Sequence, residues 1–123
     1  MTDFPVTMRG VWLTGHGEVD KLDIRQDIPV PIPGPEDVLV RVAAAGVNNT
    51  DINTRIGWYS KGVTTDTSLG AAGGFEAADP DDASWQGIPL SFPRIQGADC
   101  CGRIVAVGGA VDEDRLGERV IVR

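Results

Sequence analysis

Basic charge, cysteine and aromatic side chains are all scarce in this 123-residue chain. Eleven Lys and Arg residues stand against 18 Asp and Glu residues, which leaves a formal charge of −7. Nucleic acids are bound through Lys and Arg that neutralise phosphate groups, so we predict no nucleic-acid partner. No apolar run reaches the ~18 residues of a membrane span, and the N-terminus has neither a basic nor an apolar signal segment. We therefore expect a cytoplasmic protein without a membrane partner.

The only two cysteines, Cys100 and Cys101, are adjacent in the chain. Neighbouring cysteines do not build a framework of loop-closing disulfides, and we expect both thiols to stay reduced within a strand. His16 is the only histidine, and the usual Cys-x₂₋₄-Cys or His-x₃₋₅-His zinc spacings do not occur. A single histidine also gives no spacing support for a Ser-His-Asp or Cys-His catalytic unit.

The chain length sets the domain organisation. A cofactor-dependent enzyme with separate substrate and dinucleotide domains usually needs ~300 residues, because each domain takes about 100–200. At 123 residues we expect one domain, large enough to bury a core without disulfide or metal support. Gly and Pro supply 16 and 8 residues, a share well above the average of ~12%, which favours short strands and turns over helices.

The hydrophobic pattern predicts mainly β structure. Val38, Val40 and Val42 alternate at period two and give the clearest half-buried strand. Prolines between Ile28 and Pro35 remove backbone donors, so we predict an extended, unpaired connector there. Strands are predicted over residues 8–14, 21–28, 37–43, 103–107 and 119–122, and the three valines belong to the third of them. We expect a barrel-like β domain with one small helix.

That helix is predicted over residues 50–56. Thr50 or Asn49 is expected as its N-cap, with Asp51 in the first turn and Gly57 as its stop. Ile52 and Ile56 are four residues apart, so we expect them to share the buried face.

Residues 61–89 form a long, acidic, Gly-rich stretch without periodicity. Loops of this length are usually functional or disordered, and an acid-rich one is usually a solvated surface. The more specific hypothesis is a lid over a cleft, because long loops beside sites often gate them. Trp85 in this stretch and Trp58 before it are interpreted as packing residues.

The Gly15–Asp20 segment nearly spells the dinucleotide fingerprint, in which glycines let a helix N-terminus approach a pyrophosphate. The last position is Asp20 instead of Gly or Ala, and a strand-like pattern follows. We interpret the segment as a turn and expect His16 to be a solvent-exposed loop residue.

Three segments in order carry a family resemblance: residues 34–51, 92–108 and 116–120. They resemble the N-terminal GroES-like catalytic domain of medium-chain dehydrogenases/reductases, the superfamily of alcohol dehydrogenases and quinone oxidoreductases. The resemblance implies that residues 1–123 form a partly open GroES-like β-barrel with one or two short helices. It also implies a longer two-domain reductase, whose Rossmann domain is absent from these residues.

Zinc-dependent members of this superfamily place a Cys where Asn48 stands and a His-Glu pair where Ala98 and Asp99 stand. An amide and a methyl group cannot replace a thiolate and an imidazole in a tetrahedral site. Asn48 with Asp51 is similar to the zinc-free quinone oxidoreductase branch, which transfers hydride from NADPH to quinones or activated alkenes. The resemblance therefore implies NADPH or NADH as cofactor, no zinc, and a small carbonyl, quinone or enone substrate.

The same resemblance implies roles for individual residues. Asn48 would hydrogen-bond the nicotinamide ribose or a substrate oxygen, with Asn49 and Thr50 also against the cofactor. Thr50 matches a hydroxyl that relays a proton, Asp51 a buried carboxylate that orients its neighbours, and Tyr59 an aromatic side chain lining the substrate pocket. Thr50 and Asp51 equally suit the start of any helix, and that alternative stays open.

From this resemblance we expect the substrate-side domain of a zinc-independent NAD(P)H oxidoreductase, inactive without its Rossmann domain. One alternative is a stand-alone GroES-like binding or assembly module, for which Leu69, Phe75 and Trp85 are the candidate apolar anchors. Another is a zinc-type alcohol dehydrogenase that has lost its metal ligands. Exposed apolar faces make a homodimer conceivable.

Overall fold

The computed structural model describes residues 4–60, 62, 79, 81–84 and 86–123. Within them, strands predominate and the single α-helix has eight residues. The elements in chain order are β1 (Thr7–Leu13), β2 (Leu22–Pro29), β3 (Val38–Ala45), α1 (Asn49–Ile56), β4 (Cys100–Val107) and β5 (Arg119–Val122), with 3₁₀ turns at Val19–Lys21 and Glu113–Arg115. The strands form a two-stranded sheet, β1-β2, and a three-stranded sheet, β3-β4-β5, and neither is closed. The mainly β, partly open fold expected from the sequence is confirmed.

The described residues separate into two compact units. We call residues 4–9, 26–46 and 98–123 the sheet unit, and the described part of 10–25 and 47–97 the helix unit. The sheet unit buries Ile28, Ile104 and Ala106. The helix unit buries the apolar Leu13, Ile56 and Ala83 together with the polar Arg55, Ser60 and Ser84.

Strand β4 is the centre of the three-stranded sheet and pairs antiparallel with β3 and β5. Gly102 on β4 is buried, and a Cβ at that position would collide with the backbone oxygen of Arg41. Its partner on β3 is Val42, which is 54% exposed. The expectation that Val42 is half-buried like Val38 and Val40 is therefore wrong: the register of β3 against β4 shifts between Leu39 and Val40 and again between Val42 and Ala44, so a strict alternation does not hold along this strand.

The two cysteines are free and half-buried on β4, opposite Ala45 and Ala44 of β3. Successive side chains on a strand point to opposite faces, so the two thiols lie on different sides of the sheet. The expectation that both cysteines lie in a strand is confirmed.

The proline-rich connector starts later than the sequence predicts. Ile28 and Pro29 are the last residues of β2, and the Val30 N–H donates to the Val6 carbonyl at 2.9 Å. Proline is tolerated at a strand end because the backbone donor it lacks is not needed there.

Helix α1 also differs from the prediction at its start. Asn48 is the N-cap, so the helix begins one residue earlier than the predicted Thr50. Gly57 ends it in the left-handed conformation, at φ 77°, as expected. Ile56 is buried, but Ile52 is 41% exposed, because the contacts from the rest of the helix unit are concentrated at the last turn.

Ser60 holds the base of the acidic stretch. Its Oγ accepts hydrogen bonds from the backbone N–H groups of Gly62, at 3.3 Å, and Asp79, at 2.8 Å. Most of residues 61–89, including Leu69, Phe75 and Trp85, lies outside the described residues. The lid hypothesis and the apolar-anchor hypothesis fall on that part of the chain.

Among the described residues, no helix has the length and apolar character needed to cross a membrane.

Candidate functional site

The N-terminal end of α1 brings four of the predicted site residues together. Asn48 has extended backbone angles, φ −117° and ψ 163°, and its side chain is exposed, as are those of Asn49 and Thr50. Asp51 is half-buried, and its Oδ2 accepts the Asn48 backbone N–H at 2.9 Å. The Asp51 N–H in turn donates to the Asn48 carbonyl at 3.0 Å. This reciprocal pair fixes the chain at Asn48, so Asp51 orients that residue through its backbone.

Gln96, which no sequence motif had singled out, supports the same end of the helix. Its Nε2 donates to the Asp51 carbonyl at 3.3 Å across 45 positions of the chain. Its Oε1 is buried and has no hydrogen-bond partner among the described residues.

Asp99, the residue in the place of the zinc-branch glutamate, contacts the chain just ahead of Asn48. Its Oδ1 accepts the Gly46 N–H at 3.2 Å. A Cβ at position 46 would lie 2.9 Å from that oxygen, which explains glycine there. The carboxylate thus fixes the end of β3 two residues before Asn48.

The C-terminal end of α1 is held by the turn after β1. His16 Nδ1 lies 2.8 Å from the Thr54 carbonyl oxygen, and its ring packs edge-on against Phe92 with centroids 5.2 Å apart. Gly17 donates from its N–H to the Arg55 carbonyl at 2.8 Å, and its own carbonyl accepts from Arg55 Nη1 at 2.5 Å. His16 is half-buried, so the expectation of an exposed loop residue is wrong. Gly15 and Gly17, which flank His16, could have indicated this contact, because glycines let a turn lie close against another backbone.

The Gly15–Asp20 segment does act as a turn. A short 3₁₀ turn at Val19–Lys21 and then β2 follow it, where a dinucleotide site would require an α-helix. The Gly17 N–H, which would point at a phosphate in such a site, is bonded to Arg55 instead.

Tyr59 lies at the other end of α1 from the Asn48–Asp51 group. It is half-buried and packs edge-on against Trp58, with ring centroids 5.6 Å apart and planes at 66°. An eight-residue helix rises about 12 Å, and Tyr59 follows its C-cap, Gly57. The structure therefore clusters Asn48, Asn49, Thr50 and Asp51 and does not bring Tyr59 to them.

No three His, Cys, Asp or Glu side chains come together as a possible metal-binding group within the described ranges. At the two positions where zinc-dependent relatives of this fold place Cys and His, the side chains are the Asn48 amide and the Ala98 methyl.

An open groove of about 640 Å³ lies in the sheet unit. Its lining includes Ile32, Val38, Val40 and Cys100 but none of the residues from Gly46 to Asp51. The groove is therefore a feature of the sheet unit.

Residues 34–123 match the family described as the alcohol dehydrogenase GroES-like domain. The chain belongs to this family. The match contains β3, α1, β4 and β5, and with them the whole Asn48–Asp51 cluster. The resemblance inferred from the three sequence segments is thereby confirmed.

Relatives of more than one kind are similar to the chain. A crystal structure named "putative alcohol dehydrogenase from Sinorhizobium meliloti 1021" is 41% identical and superimposes with a TM-score of 0.73, covering 96% of this chain and 29% of its own. Human quinone oxidoreductase is 32% identical over 92% of this chain. The Escherichia coli protein named "Uncharacterized zinc-type alcohol dehydrogenase-like protein YphC" is 29% identical over 94% of it. The chain spans only 26% of the length of each of these two curated relatives.

Proposed function

We propose that this chain is the substrate-side domain of an NAD(P)H-dependent oxidoreductase that reduces a small carbonyl, quinone or enone compound without zinc. The observation that carries the proposal is the exposed Asn48 side chain at the start of α1, where the zinc-dependent branch has a cysteine. Membership of the GroES-like family and similarity to a quinone oxidoreductase support hydride transfer as the reaction class.

The reaction needs a group that stabilises negative charge. Hydride addition to a carbonyl or a conjugated alkene leaves charge on the substrate oxygen, and a preorganised hydrogen-bond donor lowers the barrier most when it points at that atom. The Asn48 amide is a neutral donor of this kind. It lies at the N-terminus of a helix, which carries a partial positive charge and favours an anion.

The residues around Asn48 hold it in place. Asp51 accepts the backbone N–H of Asn48, and Asp99 accepts that of Gly46. Both carboxylates therefore act on the backbone of residues 46–48. In this proposal the hydroxyl of Thr50, an exposed residue two positions further on, passes a proton to the reduced oxygen. In this proposal the side chains of Asn48, Asn49 and Thr50 hold the nicotinamide end of the cofactor, which supplies the hydride when bound.

The donor set supports the zinc independence that we propose. The tetrahedral zinc sites of oxidoreductases use thiolate and imidazole ligands, which Asn48 and Ala98 do not provide. Asp99, the one acidic group of the expected pair, already accepts a backbone hydrogen bond from Gly46. This supports a reaction in which protein donors alone stabilise the oxyanion.

The rest of the enzyme is also part of the proposal. The chain spans about a quarter of its curated relatives, and we propose that the dinucleotide is bound by a Rossmann domain in the longer cytoplasmic protein. NADPH and NADH both fit the proposal, because the cofactor phosphate would lie in that domain. The 123-residue chain alone is then inactive, because hydride transfer depends on positioning both reactants. A homodimer of the longer protein is compatible with this arrangement.

Two substitutions at Asn48 test the proposal in the longer protein. Asn48→Ala removes both the amide donor and a helix cap, whereas Asn48→Ser keeps a good N-cap but replaces the amide with a shorter hydroxyl, whose donor lies one bond closer to the backbone and no longer occupies the amide position. We expect kcat for NAD(P)H-dependent reduction of a quinone or enone to fall about 10²-fold in both variants. If Asn48→Ser retains full activity while Asn48→Ala loses it, Asn48 serves only as a cap and the proposed role is wrong.

A further inference from the structure

We propose that His16 is a positioning residue for α1: its Nδ1–H anchors the last turn of the helix and so determines the placement of Asn48 at the first. The catalytic consequence rests on the proposed function. The anchoring itself concerns only the helix unit and can be tested without any assay of activity.

Helix α1 is too short to be stable by itself. Isolated helices of fewer than ~12 residues are marginal in water, and α1 has eight. The helix contains two isoleucines, and only Ile56 is buried, while Ile52 is 41% exposed. The position of the helix therefore depends on one apolar anchor, Ile56, and on the polar contacts at its two ends.

Those contacts differ between the two ends. At the start, Asp51 and Asn48 form a local pair three residues apart, and Gln96 adds one side-chain bond. Gln96 is 45 positions from Asp51, but it makes only that one bond, whereas at the end the turn after β1 makes three hydrogen bonds to the helix from 38 positions away. Such a distant contact fixes where the helix lies in the unit, which the local pair cannot do.

The turn satisfies carbonyl groups that have no partner inside the helix. The last four carbonyls of a helix are left unpaired by the helix itself. The Thr54 carbonyl receives His16 Nδ1 at 2.8 Å, and the Arg55 carbonyl receives the Gly17 N–H at 2.8 Å. Of these two bonds, only the one from His16 depends on a side chain and can be removed by substitution.

The environment of the ring fixes its tautomer. A carbonyl oxygen only accepts, so Nδ1 must carry the hydrogen. Nε2 is buried and has no hydrogen-bond partner among the described residues, while the ring stands at 86° to Phe92. The imidazole is therefore oriented by one hydrogen bond and one aromatic contact, and its donor is the atom two bonds beyond Cβ.

That geometry supplies a matched pair of variants. In asparagine the Nδ2 donor is also two bonds beyond Cβ, so His16→Asn keeps a donor near the Nδ1 position. His16→Leu has similar bulk and no donor. A third variant, Ile104→Val, shortens a buried side chain of the sheet unit and leaves the sequence of the helix unit unchanged, so it controls for general destabilisation.

The first measurement is amide hydrogen exchange along α1 in the 123-residue chain, followed by NMR. His16→Leu is expected to lower the protection of the helix amides about fivefold, the value of one lost hydrogen bond. His16→Asn should restore most of that protection. In Ile104→Val, the protection of the α1 amides relative to the other amides of the helix unit should stay unchanged. Equal protection in the Leu and Asn variants would overturn the proposal.

The second measurement is ¹⁵N NMR of the His16 ring, which distinguishes the two neutral tautomers. The proposal expects the hydrogen on Nδ1 at neutral pH, and a hydrogen on Nε2 with a bare Nδ1 would overturn it. In the longer protein, kcat should fall in His16→Leu and recover in His16→Asn, with KM changing less than kcat. If exchange responds as expected but neither His16→Leu nor Asn48→Ala alters kcat, the anchoring stands and the proposed function fails.

Discussion

The two units of this chain are stabilised in different ways. All three buried polar side chains among the described residues, those of Arg55, Ser60 and Ser84, belong to the helix unit. The sheet unit buries only apolar side chains in its core and is organised by the backbone pairing of β3, β4 and β5. The sheet can therefore be recognised from local alternation, whereas the helix unit depends on specific contacts between residues far apart in sequence.

The largest effect is expected where the sheet allows no side chain at all. In Gly102→Ala, the new Cβ meets the Arg41 backbone oxygen, and neither strand can move without breaking the ladder. We expect a loss of about 4 kcal/mol in the free energy of unfolding, measured by urea denaturation. Gly109→Ala is the matched control, because nothing lies within 4 Å of its Cβ position, and it should be nearly neutral. Similar losses in both variants would show that packing against the strand is not the cause.

The apolar anchor of α1 comes next. Ile56→Ala should cost about 3 kcal/mol, because the side chain is 1% exposed and leaves a cavity. Ile52→Ala, on the same helix at 41% exposure, should cost well under about 1 kcal/mol. Thermal unfolding followed by circular dichroism separates these cases. Equal costs would mean that Ile52 is buried in solution.

A substitution at Ser60 tests whether buried polar contacts stabilise the helix unit. Ser60→Ala leaves the Gly62 and Asp79 N–H groups without their shared acceptor, at an expected cost of about 2 kcal/mol. Ser91→Ala removes an exposed hydroxyl and should cost almost nothing. The two urea midpoints should therefore differ clearly, and a coincidence would remove Ser60 from the contacts that stabilise the helix unit.

The smallest effect concerns a surface ion pair of the sheet unit. Arg115 Nε and Nη2 donate to the two Glu118 carboxylate oxygens at 2.9 and 3.0 Å. These hydrogen bonds, more than the opposite charge, lower the pKa of Glu118 from its ordinary value of 4.5. Because the folded-state pKa is lowered, the pair stabilises the fold above pH 4.5, and the contribution is lost as the pH falls through the lowered pKa. The stability difference from Glu118→Gln should therefore be small at neutral pH and disappear in acid, where a difference that persists would contradict the assignment.

Much of the fold could be predicted because its signals are local. The period-two valines gave β3, the Arg119–Val122 run gave β5 with its observed bounds, and Gly57 gave the end of α1. Val42 was predicted incorrectly because the prediction assumed an unbroken period of two, whereas the pairing of β3 with β4 shifts register on both sides of residues 40–42. Such shifts arise from the pairing with a distant strand, which alternation alone cannot reveal.

The candidate site could be predicted only in part, because some of its contacts join residues far apart in the chain. The Asn48–Asp51 cluster is contiguous, so its members could be selected together, although Asn48 rather than Thr50 or Asn49 proved to be the N-cap. His16 and Gln96 were not selected, because each contacts α1 from more than 35 positions away. The partners of their polar atoms are brought close only when the chain folds, so no local pattern identifies them.

The most direct test of the account is the metal dependence of NAD(P)H oxidation by the longer protein. The rate with a quinone or enone substrate is measured after dialysis against a strong zinc chelator and again after zinc is restored, with metal content determined on both samples. If the Asn48 amide stabilises the oxyanion, the rate is the same in the chelator-treated and the zinc-restored samples, and neither holds stoichiometric zinc at the start of α1. A rate that disappears with the chelator and returns with one zinc ion at that position would contradict it.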